Sequence, residues 1–312
     1  MLNSVDLEVL TIGATAIDLV VRVKKHPEPD QMVFAEEFGE FPGGSTANIS
    51  VALARLGIKV GFIGKVGDDH FGKILIDDFR KEGVDVSRVV IEESDRTAAT
   101  FIAVDRKGGR IIYSLGGKAL LESPEEIDLS YLMKPRIIYV GEAYPKVVVG
   151  ALSSAKKRGI FIISNPGVNL NLFGDEALDI VRLSDLIVMS SKDLSLINQD
   201  LEKGARSLLE EGPKAVIITV GSKGSILIRE KEVKRVPAFE TKVVDTTGAG
   251  DAFTAGLIFG KLKGWDLLKC MRFGNAVAAI KIAHFGARRG LPTEKEVMDF
   301  IARSSKAFLK NP

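Results

Sequence analysis

Cysteine is almost absent. Cys270 is the only one in 312 residues, so no disulfide can close within the chain and no disulfide framework shapes the fold. Such usage suits a reducing compartment, and a cytoplasmic protein is expected. A surplus of one charge is lacking too. Lys and Arg number 43 against 41 Asp and Glu, a formal net charge of +2, which leaves little with which to neutralise the phosphates of a nucleic acid. No apolar run approaches the roughly 18 residues that span a bilayer. The first residues carry Asp6 and Glu8 where a signal peptide would carry basic side chains. Neither a nucleic acid nor a membrane is therefore expected as partner. Histidine is scarce, and His26, His70 and His284 have no Cys or His at ligand spacing, so no zinc site is expected. Trp265, the single tryptophan, and Cys270, among Leu267, Leu268 and Met271, read as packing. These absences leave a globular chain acting on something small, long enough to bury a sizeable core.

What the chain does have is glycine, 31 residues of it, gathered where apolar runs end, as tight turns and close backbone approaches require. The runs themselves are short. Val9–Ile12, Val60–Ile63, Ile137–Val140, 160–164, 186–189 and 215–220 are continuous and β-rich, the pattern of strands buried on both faces of a parallel sheet. Helical patterns separate them at about 48–56, 146–158, 175–182 and 201–211, and three more close the chain near 250–263, 266–284 and 293–309. Alternating strands and helices imply a doubly wound, Rossmann-like α/β sheet with helices on both faces. Two stretches break the rhythm. Residues 19–41 and 97–115 alternate like strands without helices between them, which suggests a small β-sheet lid inserted into a single domain spanning 1–312.

Three glycine motifs compete for a phosphate. Gly67-Asp68-Asp69-His70-Phe71-Gly72-Lys73-Ile74 has P-loop spacing, but Ile stands where Ser or Thr must meet Mg²⁺ and two aspartates would repel phosphates. It reads as a turn in which Asp69 caps the following helix. Gly13-Ala14-Thr15-Ala16-Ile17-Asp18 lacks the second glycine of a dinucleotide fingerprint, which disfavours a dehydrogenase. The third, Val243-Val244-Asp245-Thr246-Thr247-Gly248-Ala249-Gly250-Asp251, leads from a β-run through a small-residue turn into an apolar helix. The amides of Gly248, Ala249 and Gly250 would gather at that helix N-terminus, where the dipole favours an anion. Asp251, in the first turn, should be favoured in its ionised form by the same dipole. A carboxylate beside an anion hole suits phosphoryl transfer to an alcohol: it accepts the hydroxyl proton while the amides stabilise the transferring group. The plain alternative is an acid favoured by a helix start.

Asp245-Thr246-Thr247-Gly248-Ala249-Gly250-Asp251 resembles the C-terminal signature of the ribokinase-like (PfkB) carbohydrate kinases, with every key position filled. Gly43-Gly44-Ser45-Thr46-Ala47-Asn48, then 52–57 and 64–72, resembles their N-terminal signature, though Thr46 stands where a smaller residue is usual. Thr219-Val220-Gly221-Ser222-Lys223-Gly224 looks like the nucleotide loop. The resemblance implies a kinase using ATP and Mg²⁺, with Asp251 as base and Gly248, Ala249 and Gly250 as anion hole. It implies Asp18, Gly43, Gly44, Asn48 and Glu142 on the acceptor side. Ser190, Asp193, Thr219, Gly221, Ser222, Gly224 and Asn275 fall on the nucleotide side. Ser190 and Asp193 stand where the family carries Asn and Glu, and Asp193 keeps the charge that would serve Mg²⁺. A monovalent cation such as K⁺ would sit near Asp245, Thr247 and residues 283–290.

Ala16 and Ser45 stand where ribokinases carry Asn and Lys, which argues against ribose itself. The opening residues look most like the archaeal nucleoside kinases of the family, so sugar and nucleoside acceptors are both expected, with Asp18 and Asn48 suited to a vicinal diol. A sugar phosphate is the third choice, since Lys24, Lys25 and Arg106 could reach an anion, although simple solvated charge is the favoured explanation for them. The rival from another class is a non-catalytic sugar- or nucleoside-binding protein on the same fold. Lids in this family often pair, which implies a homodimer.

Overall fold

The structure, a computed structural model, describes residues 7–308; Asp6, and Leu309 at the end of the last expected helix, lie outside them. The first strands are β1 (Val9–Ile12), β2 (Ala16–Val23), β3 (Glu37–Gly43), β4 (Val60–Ile63), β5 (Lys65–Gly67), β6 (Val90–Glu92), β7 (Ala99–Asp105) and β8 (Arg110–Ser114). They are followed by β9 (Ile137–Val140), β10 (Phe161–Ser164), β11 (Leu186–Ser190), β12 (Ala215–Thr219), β13 (Ser225–Arg229) and β14 (Glu232–Val236). Helices α1 (Ser45–Arg55), α2 (His70–Lys81), α3 (Leu129–Leu132), α4 (Pro145–Lys157), α5 (Gly167–Phe173) and α6 (Leu178–Leu183) lie in the first two thirds. The remainder are α7 (Ser191–Ile197), α8 (Leu201–Glu210), α9 (Ala249–Leu262), α10 (Leu267–Lys281) and α11 (Glu294–Phe308).

An eight-stranded sheet runs in the order β14-β13-β12-β11-β10-β9-β1-β4. Its strands from β12 to β4 are parallel, and only β13 and β14 turn back antiparallel at one edge. Side chains alternate between the two faces. Val9, Ile137, Tyr139 and Ile217 join α1, α9 and α10 in one core. Leu10, Ile12, Ile138 and Ile162 join α4 in a second, and Ile187, Met189, Val216 and Ile218 join α8 in a third. Helices thus cover both faces, which is why these strands are mostly apolar. Burying each Ile or Leu side chain contributes roughly 1.5–3 kcal/mol. On the α9–α10 side, Phe259 stacks on Phe273 at 4.9 Å and Trp265 meets both edge-on.

A separate four-stranded sheet, β3-β2-β7-β8, stands beside the main one. Both of its halves come from the two segments that broke the rhythm of the sequence. Strand β2 leaves directly after β1, so the smaller sheet sits over the carboxyl ends of the main strands. The chain adds β4 on one side of β1 and β9 on the other. Strand order therefore reverses at β1, and in open α/β sheets the crevice at such a reversal is where ligands bind.

The helix expected at 48–56 starts earlier, at Ser45. No side chain caps it; Gly44 does so with φ 92°, a left-handed conformation that sequence periodicity does not reveal. The helix expected at 175–182 is divided into a 3₁₀ turn, Gly174–Ala177, and α6. Asp69 caps α2 as expected, accepting from the Gly72 amide at 2.8 Å, and it also accepts from Thr97.

Candidate active site

The turn before α9 brings the strongest motif to the carboxyl end of the sheet. Gly248 has φ 75°, and a Cβ there would meet the Ala287 carbonyl oxygen at 2.8 Å; only glycine makes this turn. Of the three amides expected to gather there, that of Ala249 is already used, donating to the Thr246 carbonyl at 3.1 Å. Gly250 is exposed, and the space where its Cβ would stand is empty within 4 Å. The first-turn amides of α9 have no intrahelical acceptor, so Gly250 offers the open approach for an anion.

Asp251 follows in the first turn. Its Oδ1 accepts from Ser45 Oγ at 2.6 Å and its Oδ2 from Asn48 Nδ2 at 2.8 Å. The expectation that the dipole would keep this carboxyl acidic needs correction. Burial pushes it up to about 6, the bonds from Ser45 and Asn48 offset only part of that, and the Glu142 charge adds to it. Desolvation outweighs the dipole because protein crowds the carboxyl on nearly every side. Such a value suits a group that must take up and release a proton near neutrality.

The residues expected on the acceptor side converge around the same point. Asp18 on β2 accepts a bond from Thr100 on β7, and Gly43 packs against its carboxylate. Burial raises the Asp18 carboxyl above its usual range, opposed by Thr100 and the Arg288 charge. Glu142, just beyond β9, accepts from Thr46 Oγ1 at 2.7 Å and from the Ala14 amide at 3.3 Å. Thr46 fills the space between Gly13 and Gly141, so the residue that departs from the family pattern anchors Glu142 across the crevice at β1 and β9. Asp18 also lines a cavity of about 520 Å³ under the smaller sheet, with Arg22, Arg106, Arg110, Asp245, Thr247 and Phe285 among its walls.

The residues expected on the nucleotide side form a second group. Ser190 ends β11 and caps α7, accepting from the Asp193 amide at 3.1 Å and donating to Asp193 Oδ2 at 2.7 Å. Thr219 ends β12, and Gly221 and Ser222 lie in the 3₁₀ turn before Gly224. Gly224 packs on residues 236–238, and Asn275 Nδ2 donates to the carbonyls of Val236 and Pro237 at 3.1 and 3.0 Å. The two residues share that segment, and the Asn275 amide nitrogen is spent on fixing it.

Two charged residues escaped sequence reasoning. Arg288, 9% exposed, donates to Asn48 Oδ1 at 2.9 Å and to the Gly43 carbonyl at 3.2 Å, and pairs with Asp78. Lys281 is fully buried and donates to the Asp245 carbonyl at 3.1 Å. Burial pulls its ammonium below the usual lysine range, while Asp245 and Asp251 act to hold the charge. Asp245 itself is acidic: burial would raise it, but bonds from the Thr247 and Gly286 amides and the Thr247 hydroxyl outweigh burial. A lysine and an arginine late in an apolar helix and its following loop carry no local signal. Only their burial marks them.

Among the described residues no helix is long and apolar enough to cross a membrane. A family model described as pfkB family carbohydrate kinase matches residues 6–294. The chain is 30% identical to the 5-dehydro-2-deoxygluconokinase of Clostridium perfringens, an alignment covering 96% of this chain and 94% of that protein. It is 27% identical to the nucleoside kinase of Methanothermobacter thermautotrophicus, over 96% of this chain and 97% of the other. Among solved structures, the ribokinase of Thermotoga maritima superposes with a TM-score of 0.86 at 28% identity, covering 95% of this chain and 99% of that one.

Proposed function

The chain belongs to the pfkB family of carbohydrate kinases and is a phosphotransferase acting on an alcohol; from that premise we propose that Asp251 is its base and ATP its donor. The terminal phosphoryl group passes to a hydroxyl of a sugar or nucleoside. One observation carries the reading: a carboxyl pushed up to about 6 stands beside the open amide of Gly250 at the start of α9. Each carboxylate oxygen accepts one bond from Ser45 or Asn48 and keeps a lone pair for the acceptor hydroxyl. Asp18, and the turn of Gly43, Gly44 and Asn48, orient that acceptor, with Glu142 behind them. The amides of α9 stabilise charge on the transferring group. Thr219, Gly221, Ser222, Gly224 and Asn275 shape the nucleotide site.

Asp193 fits a divalent cation that arrives with the nucleotide. Ser190 takes one of its oxygens, and Mg²⁺ at nucleotides needs few protein ligands beyond the phosphates. When bound, the metal would draw charge from the phosphates. The four-stranded sheet acts as a lid over the acceptor. It also supports a homodimer reading, because β8 is exposed throughout and presents Ile111, Ile112 and Tyr113, with Phe38 on β3. The lone buried Cys270 favours a cytoplasmic enzyme.

A second reading, a phosphorylated or acidic sugar as acceptor, is favoured by Arg22, Arg106 and Arg110 lining the cavity that holds Asp18. Arg106 and Arg22 already pair with Glu36 and Glu37 at the lid surface, which is why the neutral acceptor ranks first. A coupled kinase assay over sugars, nucleosides and sugar phosphates, with several nucleotide donors, tests both. Transfer to none of them would refute the kinase reading and favour a binding protein.

A further inference from the structure

The residues around Asp245 do not suit the monovalent cation expected there. A weakly held cation such as K⁺ is bound by a shell of oxygens that replaces its water. Here the Asp245 carboxylate, the Thr247 hydroxyl and the Asp245 carbonyl are already answered by donors. Asp245 Oδ1 accepts from the Thr247 amide at 2.9 Å and from Thr247 Oγ1 at 2.8 Å, and Oδ2 accepts from the Gly286 amide at 2.8 Å. Thr247 Oγ1 accepts in turn from Arg110 Nη1 at 3.0 Å. The Asp245 carbonyl takes the Lys281 ammonium. A bound cation would face a buried positive charge of its own sign.

Lys281 stands where a positive charge is wanted. It is the last residue of α10, at the negative end of that helix. The carbonyl of the next residue, Ile282, accepts the amides of Val244 and Asp245 at 2.8 and 3.1 Å. The end of α10 and the turn entering α9 are therefore one hydrogen-bonded unit, with the ammonium inside it. Asp245 and Asp251 are the carboxylates that attract it. A lysine buried completely is rare unless a partner or a task holds it there.

We infer that Lys281 is a built-in substitute for the monovalent cation, a positioning residue whose charge fixes the Asp245–Thr247 turn and the amides beyond it. Its catalytic consequence rests on the kinase reading: phosphoryl transfer by this chain needs no K⁺. The wild-type protein should turn over at the same rate in K⁺-free buffer and in K⁺ at matched ionic strength. Lys281→Ala opens the space and removes the charge, so its turnover should fall roughly tenfold or more without K⁺ and recover in K⁺ or NH₄⁺. Lys281→Met fills the space without charge and should stay slow in either.

Rubidium soaks of crystals give a readout that does not depend on activity. Wild type should carry no Rb⁺ peak within coordination distance of the Asp245 carbonyl, and Lys281→Ala should carry one. K⁺ activation of wild type, or a wild-type Rb⁺ peak at that carbonyl, overturns the inference. So does full turnover of either variant without cation, or a loss in Lys281→Ala that neither cation restores. If the wild-type protein transfers phosphate to no acceptor, the kinase reading fails, and the rubidium result still judges the site.

Discussion

At the scale of single residues, Asp251 carries opposing demands. As the proposed base, the carboxyl must be ionised to accept a proton, yet its surroundings favour the neutral form and push it up to about 6. For activity the sign follows directly: the ionised base prevails above that value, so kcat should fall about tenfold for each pH unit below it. A pH–rate profile of kcat checks this, and a rate flat down to pH 4.5 would contradict it. For stability the sign is unusual for a carboxylate, because the folded value lies above the ordinary 3.8. Between those two values the folded state binds more protons than the unfolded one. Stability contributed by this group is therefore present below the lower value and lost as pH rises through the upper. At neutral pH the ionised carboxylate costs about 2 kcal/mol, discounted for its remaining solvent contact. Asp251→Asn removes that cost. Its amide can turn its oxygen to Asn48 Nδ2 and its nitrogen to Ser45 Oγ, so both bonds survive. The variant should melt higher than wild type in calorimetry at pH 7, an exchange of activity for stability.

At the scale of elements, the loop after α10 ties the site together. Arg288 reaches Asn48 on α1, the Gly43 carbonyl at the end of β3 and Asp78 on α2, and Arg55 at the end of α1 holds the Arg288 carbonyl at 2.8 Å. Arg288→Leu leaves the half-buried Asp78 carboxylate and the buried Asn48 Oδ1 unanswered and should cost roughly 2–3 kcal/mol in denaturant melts. A loss under 1 kcal/mol would show that these contacts do not couple the helices. The same elements explain what the sequence made legible. β1, β4 and β9 have the bounds their apolar runs predicted, because strands buried on both faces carry no charged residue to blur them, and the one polar side chain, Thr11, is satisfied by Ser50. The edge strand β14 was missed: its polar residues, Glu232, Lys234 and Arg235, leave no apolar run. Asp251, Asp18 and Asn48 were legible through local motifs. Thr100, Arg288 and Lys281 were not, since their roles come from contacts between residues 36–245 positions apart.

At the scale of the whole molecule, the near-neutral charge agrees with the proposed site: backbone amides at the start of α9 would serve the anion without a basic surface. The exposed apolar face of β8 is the counterpart feature. If two lids pair there, light scattering should give twice the 33.7 kDa of one chain, and Ile112→Lys with Tyr113→Glu should halve it. A wild-type protein of single-chain mass would contradict the dimer. The fold's larger consequence is that Ser45 and Asn48 meet Asp251 across 206 and 203 residues, so the proposed base is held by residues distant in the chain. The most direct test of that base compares wild type and Asp251→Asn in one assay, following nucleotide consumption with a responsive sugar or nucleoside at saturating donor. The account predicts a fall in kcat of roughly a thousandfold or more with KM for the donor little changed; a variant that turns over like wild type would contradict it.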